Sequence, residues 1–375
     1  MKTPKKVEKF PLWLHPGGQW CRKHQGSFYY FGQDKETALK RYVEEWDDLK
    51  AGRKRRTPPG ELTLADCCNH FLTAKQERLV TGDITSRTWD DYKSSCESVI
   101  AELGRGRTVA DLRSEDFAKL RNAMAKKYGP VSLSNRIQRV RTLFKHAFDA
   151  ELIDVPIRFG PGFAKPSRRV IRLKRADKAV RIIEAPNIRK LIAAAGSPMD
   201  AMILLAINAG FGQTDCSELP ATALTREGWL DFRRPKTGAP RRVPLWPETL
   251  KALEKAIAAR PDPIDPADDR LVFITRFGRP FIRYSISKTG RSGTRCDSIA
   301  QSFTKLAKSV GLEDLGGFYN LRHTHRTVSD GARDQVAAAL IMGHVDDTIA
   351  GAYRERIEDE RLLAVVNVVR EWLFK

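Results

Sequence analysis

The stretch Gly317–Gly331, GFYNLRHTHRTVSDG, gathers two arginines, two histidines and a tyrosine into one short segment. Arg322, His323, His325 and Arg326 follow Tyr319 within about two turns of a helix. A guanidinium group matches two oxygens of a phosphate at once, which makes Arg322 a candidate phosphate ligand. The segment therefore indicates a phosphate-binding site, and the rest of the chain indicates which phosphate.

The overall charge points to nucleic acid. The 375 residues include 66 Lys and Arg against 46 Asp and Glu, which leaves a net charge of +20. Such an excess is typical of proteins that lie on a polyphosphate backbone. A basic surface that only keeps the protein soluble, or that docks on anionic lipid, is the alternative.

Several classes of site and location are not supported by the sequence. No apolar run approaches the roughly 20 residues of a spanning helix, and the first residues lack the apolar stretch of a signal peptide, so we expect no membrane and a cytoplasmic, nucleoid-associated protein. The six cysteines form no C-x-x-C pair and are expected to be packing residues. Without a P-loop, a G-x-G-x-x-G motif or a convincing two-metal cluster, we expect no cofactor and no metal.

Hydrophobic periodicity predicts a mainly α chain with small β-sheets, an α+β fold class, in successive regions. Residues 1–56 alternate aromatic and polar residues and then turn helical, which predicts a small sheet with one helix. Residues 62–154 are helical, residues 155–178 are a basic linker rich in Pro and Gly, and residues 179–375 are α-rich with a small sheet and a C-terminal helix.

Two groups of cations are candidates for DNA contact. The first lies on one predicted helix without an acid between its members, and the second lies in the linker. The residues are Arg136, Arg139, Arg141 and Lys145 in the first group, and Arg168, Arg169 and Arg172 in the second.

Metal-free cleavage of a phosphodiester needs a nucleophile, cations on the non-bridging oxygens and an acid for the leaving alkoxide. The C-terminal third offers Tyr353 as nucleophile, Arg322 as phosphate ligand, His344 as a hydrogen-bonding partner and Lys236 as the acid. Each alone has an ordinary explanation: a helix residue for Tyr353, a helix end for His344 and turn chemistry for Lys236.

Three segments, YNLRHTHRT, IMGHVDDTIAGAY and RPKTGAPRRVPL, together resemble the tyrosine recombinase (phage integrase) family. In that resemblance Arg322 falls on the arginine of an H-x-x-R box, His344 on the histidine after Leu-Gly and Tyr353 on the nucleophile nine residues later. Lys236 falls on a β-hairpin lysine, eight residues before Pro244.

The resemblance implies an arm-type DNA-binding module, a helical core-binding domain and a catalytic domain, in chain order. It implies a site-specific recombinase or integrase of a mobile genetic element that breaks and rejoins DNA through a covalent 3′-phosphotyrosyl link. Its implied partners are double-stranded DNA, further copies of the chain in a tetramer on DNA, and DNA-bending accessory proteins. A topoisomerase-like nicking and closing enzyme shares the chemistry but would not need the arm module.

The chain departs from the family pattern at two positions. Tyr319 stands where the H-x-x-R box has histidine, although a phenol can still donate a hydrogen bond to a phosphate oxygen. In NAGFGQTDCSELP, placing Asp215 on the family acid puts Gly212 where the first catalytic arginine belongs. Loss of one oxyanion donor typically costs about a hundred- to a thousandfold in rate.

The missing arginine leaves two interpretations. Another cation substitutes, with Arg234 first, Arg326 second and Arg242 also a candidate, or the chain is a weakened or inactive recombinase-like DNA-binding protein. A second alternative concerns the apolar face of the tail, which either docks on its own domain or packs on a neighbouring protomer. Its residues are Leu362, Val365, Val366, Val369, Trp372 and Leu373.

Overall fold

The computed structural model describes residues 10–50, 62–177, 182–286, 293–346 and 348–375, and the chain divides into two compact units after residue 177. The predicted junction between residues 56 and 62 lies in 51–61, outside the described residues. None of the helices in the described ranges combines the length and the apolar character needed to cross a membrane.

The first unit begins with a small antiparallel sheet of order β1-β2-β3, followed by a helix. The elements are β1 (Trp13–Leu14), β2 (Trp20–His24), β3 (Ser27–Gly32) and α1 (Lys35–Lys50). Leu12, Cys21, Phe31, Ala38 and Leu49 are among its buried apolar residues. This confirms the predicted sheet-plus-helix region, and the size of the core shows how little it can bury by itself.

Four helices with their own core form the rest of the predicted helical region. They are α2 (Leu64–Val80), α3 (Ser86–Leu103), α4 (Ser114–Lys127) and α5 (Pro130–Asp149). Threonine hydroxyls cap α2 and α3, where Thr63 accepts from the Asp66 amide at 3.1 Å and Thr85 from the Thr88 amide at 3.3 Å. Phe71, Phe117 and Phe144 are fully buried between these helices.

The segment predicted as a basic linker contains a helix, α6 (Arg168–Ala176). The Ser167 hydroxyl caps it by accepting a hydrogen bond from the Val170 amide at 3.3 Å. No residue of α6 is buried, so its cations and its apolar residues Val170 and Leu173 all remain accessible.

The second unit is α-rich, as predicted, and contains two short antiparallel strand pairs where the sequence predicts one small sheet. Its helices are α7 (Ala185–Ala194), α8 (Met199–Asn208), α9 (Gln213–Ser217), α10 (Pro247–Ala258), α11 (Ser298–Ser309), α12 (Tyr319–Ser329), α13 (Gln335–Ile341), α14 (Ile349–Ala352) and α15 (Asp359–Phe374). Its strands are β4 (Trp229–Asp231), β5 (Arg242–Pro244), β6 (Ile282–Ile286) and β7 (Gly293–Asp297). β4 pairs with β5 and β6 with β7, both antiparallel.

Every residue of α8 except Asp200 is buried, which makes this helix the centre of the second unit's core. The C-terminal helix α15 closes the same core with Leu362, Val365, Val366, Val369 and Leu373. The indole of Trp246 donates to the Val366 carbonyl at 3.1 Å and fixes that helix. Of the two alternatives for the tail, the structure shows docking on its own domain.

Asn208, at the end of α8, ties the core to the β4–β5 hairpin. Its amide nitrogen donates to the Pro244 carbonyl at 3.2 Å. Its amide oxygen accepts from the Trp246 amide at 2.9 Å and from the Thr249 hydroxyl at 3.0 Å. The side chain is fully buried, so one residue provides hydrogen-bond partners for three polar groups that would otherwise be buried without one.

We expect Asn208→Ala to destabilise the full chain by about 2–4 kcal/mol, because each buried polar group that loses its partner costs about 1–3 kcal/mol. The measurement is the midpoint of urea unfolding followed by tryptophan fluorescence. Asn367→Ala, at an exposed position of α15, is the matched control and should change the midpoint little. Equal midpoints for the two variants would contradict the role assigned to Asn208.

Candidate active site

The candidate active site is organised around one buried carboxylate, Asp215. The chain leaves α8 at Asn208, and Gly210 takes a positive φ of 63° that turns it toward α9. The Gly212 amide then donates to Asp215 Oδ2 at 2.7 Å, which caps the N-terminus of α9. The carboxylate therefore has a fixed position, and its other oxygen is available to cations.

Arg322 approaches this carboxylate from α12. Its Nη1 lies 3.8 Å from Asp215 Oδ2 and donates to the Gly210 carbonyl. Its Nη2 donates to the Met342 carbonyl at 2.9 Å and to His344 Nε2 at 3.0 Å. Burial and the charge of Arg234 lower the pKa of Arg322, against the opposing effects of Asp215 and Tyr319.

Two further arginines reach Asp215 from the β4–β5 hairpin. Arg241 Nη2 lies 3.2 Å from Asp215 Oδ1, and Arg234 Nε lies 3.6 Å from the same oxygen. The Arg241 side chain is completely buried, and its guanidinium lies 4.3 Å from the centre of the Phe211 ring. Burial lowers the pKa of Arg241 to about 10, so it keeps its charge at neutral pH.

The guanidinium groups of these arginines have more N–H donors than the site has hydrogen-bond acceptors. Arg234 Nε, Arg241 Nε and Arg241 Nη1 are buried without a hydrogen-bond partner. Three guanidinium groups share the single charge of Asp215, so the cluster has an excess of positive charge. Buried donors of this kind are costly unless an acceptor arrives, and an anion supplies both the acceptor and the charge.

The turn before His344 makes room for the hairpin arginines. At Gly343, where φ is 61°, a Cβ atom would lie 2.9 Å from Cβ of Arg234 and 3.2 Å from Nε of Arg241. The Thr237 hydroxyl donates to the Gly343 carbonyl at 3.2 Å and holds the hairpin tip against this turn. The glycine of the Met-Gly-His motif is thus required by a positive φ and by close packing.

His344 is neutral at physiological pH. Lost hydration and the charges of Arg322 and Arg234 lower its pKa to about 4. Because arginine can only donate, His344 Nε2 accepts the bond from Arg322, which places the ring proton on Nδ1.

Tyr319, the first residue of α12, lies directly over Gly212. A Cβ atom at position 212 would lie 3.1 Å from Cε2 and 3.3 Å from Cδ2 of the Tyr319 ring. The ring is 42% exposed and contacts His323 edge to face at 5.3 Å. The two departures from the family pattern are therefore in contact with each other.

Lys236 and Tyr353 are at the surface. Lys236 is exposed in the turn between Arg234 and Gly238, where the Gly238 amide donates to the Arg234 carbonyl at 2.8 Å. Tyr353 follows α14 and is 82% exposed. Asp346 braces its segment by accepting from the Thr348 hydroxyl at 2.6 Å and from Arg354 Nη1 at 2.8 Å, which lowers the pKa of Asp346 to about 2.

The other two candidate substitutes are engaged elsewhere. Arg242 forms ion pairs of 2.9 Å with both Asp231 and Asp359, and Arg326 pairs with Asp330, which directly follows α12. Sequence reasoning did not select Arg241, the neighbour of Arg242. Consecutive residues entering a strand point to opposite faces, so the Arg-Arg pair sends one side chain inward and one outward. That alternation was the available signal, and only the side-chain exposure in the structure, 0% for Arg241 and 39% for Arg242, shows which residue points inward.

The cations of the first unit divide into two groups. On α5, Arg139 pairs with Asp91 at 2.6 Å, Lys145 with Asp149 at 2.5 Å, and Arg136 lies 3.8 Å over the Tyr128 ring. Arg141 donates to the Phe163 carbonyl at 3.0 Å. By contrast Arg168, Arg169 and Arg172 of α6 are exposed. The α5 cations thus have structural contacts of their own.

Within the described ranges, no group of three or more His, Cys, Asp or Glu side chains is arranged to hold a metal ion. The guanidinium groups of the cluster can stabilise negative charge electrostatically, and Tyr319 and His344 can add hydrogen bonds.

Comparisons with known proteins identify the fold. No protein-family model matches the chain, and no curated protein matches it by sequence. Among solved structures it is similar to a lambda integrase dimer bound to a COC′ core site, with a TM-score of 0.54 and 16% identity over 95% of this chain and 100% of that chain. A lambda integrase tetramer bound to a Holliday junction matches with a TM-score of 0.54 and 17% identity, covering 96% of this chain and 99% of that chain.

A third similar structure is the Tn1549 transposon integrase in complex with circular intermediate DNA. It has a TM-score of 0.54 and 16% identity, and the match covers 81% of this chain and 98% of that chain. At these identities the likeness establishes the fold. The chain has the α+β fold of the lambda and Tn1549 integrases.

Proposed function

We propose that this protein is a site-specific DNA recombinase of the integrase type, acting through a covalent 3′-phosphotyrosyl intermediate. The observation that carries the proposal is the convergence of Arg322 and two hairpin arginines on Asp215, with His344 bonded to Arg322, in a chain with an integrase fold. A net positive, partly unsatisfied guanidinium cluster is suited to a phosphate whose negative charge grows during the reaction.

In this mechanism the Tyr353 oxygen attacks the scissile phosphorus, and its phenolic proton passes to the water to which the side chain is exposed. Arg322, Tyr319 and His344 stabilise the five-coordinate phosphorus as charge builds on the non-bridging oxygens. The bond to the 5′ oxygen breaks, and Lys236 protonates that oxygen to give a free 5′-hydroxyl. The phosphotyrosyl link retains the energy of the phosphodiester, so a second hydroxyl can reverse the step and rejoin the strand without ATP.

The exposure of Tyr353 fits a nucleophile that is presented when DNA is bound. Its 82% exposed ring makes it available to a phosphate, and the segment that carries it is short and braced by Asp346. The lambda structures are a dimer and a tetramer on DNA, and we extend to this chain the proposal that it assembles as a tetramer on duplex DNA. DNA-bending accessory proteins belong to the same proposal.

A second candidate function is a recombinase-like DNA-binding protein with weakened or no cleavage activity. Gly212 favours it, because the position of the first family arginine carries no charge. The two functions differ in one observable, which is the formation of a protein–DNA adduct that survives denaturation.

We expect the wild-type chain to form an SDS-resistant adduct with members of a pool of nicked, randomised DNA duplexes. Tyr353→Phe should abolish the adduct because it removes the nucleophilic oxygen, and Arg322→Ala should reduce its rate by about a hundred- to a thousandfold. Tyr284→Phe, at another exposed tyrosine of the same unit, is the control and should retain full yield. Retention of DNA binding with no adduct from the wild type would favour the second candidate.

We also expect the α6 cations to carry more of the phosphate contact than those of α5. Replacing Arg168, Arg169 and Arg172 with alanine should reduce the slope of log K against log salt by up to about 3, at roughly 0.9 per phosphate contact. The matched triple variant at Arg136, Arg139 and Lys145 should change the slope less, since those side chains already have protein partners. Fluorescence anisotropy with duplex DNA measures both, and a larger effect from the α5 variant would refute this assignment.

A further inference from the structure

The structure explains why position 212 carries no arginine. Gly212 has φ −97° and ψ 176°, a conformation that any residue adopts, so its backbone does not require glycine. What restricts the position is space, because a Cβ atom would meet the Tyr319 ring at 3.1 Å and Asp215 Oδ2 at 3.4 Å. A long side chain leaving Gly212 would have to pass through the volume that the phenol ring occupies.

Arg234 has the features of a phosphate ligand. Its side chain is 10% exposed, more than that of Arg322 at 3% or Arg241 at 0%. Its guanidinium donates no hydrogen bond to any described residue, and its ion pair with Asp215 is a loose 3.6 Å. The group is charged, partly accessible and without a committed acceptor.

Arg241 has the features of a support for that ligand. Its guanidinium is held between Asp215, at 3.2 Å, the Met342 carbonyl, at 3.3 Å, and the face of Phe211. Its Nε lies next to the backbone at Gly343, as does the stem of Arg234. Arg241 therefore holds the positions of Asp215 and of the turn that borders Arg234, while its burial keeps it away from a substrate.

We propose that Gly212 and Tyr319 are a matched pair and that the cation lost from position 212 is supplied by the hairpin, with Arg234 binding a non-bridging oxygen of the DNA phosphate and Arg241 acting as its positioning residue. The inference rests on the proposed function and deepens it. Tyr319 fills the space over Gly212, and the positive charge of Arg234 and Arg241 reaches Asp215 from the segment between β4 and β5.

The first test needs no DNA and measures binding of inorganic phosphate to the full chain by calorimetry. Arg234→Ala should weaken phosphate binding by about tenfold or more, since a charge-assisted hydrogen bond contributes roughly 1.5–3 kcal/mol and 1.4 kcal/mol is tenfold. Arg226→Ala removes an exposed arginine of the same unit and should leave the affinity within about twofold. Equal affinities for the two variants would overturn the assignment of Arg234.

The second test measures the contact between positions 212 and 319 in a double-mutant cycle. Gly212→Ala should be more favourable to thermal stability in a Tyr319→Ala background than in the wild type, because the added methyl then meets no ring. We expect the two backgrounds to differ by about 2–4 °C in the effect on Tm. Identical effects in both backgrounds would show that the residues are not coupled.

The third test uses adduct yield. Gly212→Arg alone should lose the adduct, whereas Gly212→Arg combined with Tyr319→His should recover it and make the yield independent of Arg234. Full yield from Gly212→Arg alone would overturn the matched pair. If the wild type forms no adduct, the proposed function fails, while phosphate binding and the thermal cycle still decide this inference.

The role of Arg241 is tested by phosphate affinity. Arg241→Lys should lower the phosphate affinity of the wild-type chain but not that of a chain that already carries Arg234→Ala. A general folding defect would not produce this outcome.

Discussion

The Asp215 carboxylate is the constraint on which the site depends. It caps α9 through the Gly212 amide and at the same time faces Arg234, Arg241 and Arg322. Three guanidinium groups in a low-dielectric interior repel one another, and one carboxylate compensates only part of that repulsion. The fold can hold them together because α8, the hairpin, α12 and the turn at Gly343 are each fixed by their own packing and hydrogen bonds. The remaining positive charge makes the cluster suited to an anion.

The surrounding core explains how such a cluster can be stable. Asn208 fixes the hairpin and the start of α10 through buried hydrogen bonds to Pro244, Trp246 and Thr249. Trp246 in turn fixes α15 through the Val366 carbonyl. The hairpin arginines are thus mounted on a rigid scaffold, which is the arrangement that holds charged groups in place without reorganisation. Gly343 is also part of this scaffold, because a side chain at that position would overlap with the side chains of Arg234 and Arg241.

Much of the fold was predictable, because it depends on local periodicity and turn chemistry. The α+β class, the sheet-plus-helix region at the N-terminus, the helical region and the β4–β5 hairpin are as expected from the sequence. The linker was only partly anticipated: its Pro and Gly residues suggested irregular chain, and the Ser167 cap with nine following residues forms α6. The α5 cations show the limit of a charge count, since the partners of three of them lie on α3, in the turn before α5 and at Phe163.

The sequence by itself determined which chemical groups are present and their order: an arginine and a histidine in two motifs, a tyrosine nine residues later, a hairpin lysine and a glycine in place of an arginine. Local spacing also determined the helices and the hairpin that carry them. Only the tertiary structure decided that Arg241 rather than Arg242 faces Asp215, and that the Tyr319 ring occupies the space over Gly212. The physical reason is that these contacts join residues more than 20 positions apart, so side-chain direction and available volume depend on how the elements pack and not on the local pattern.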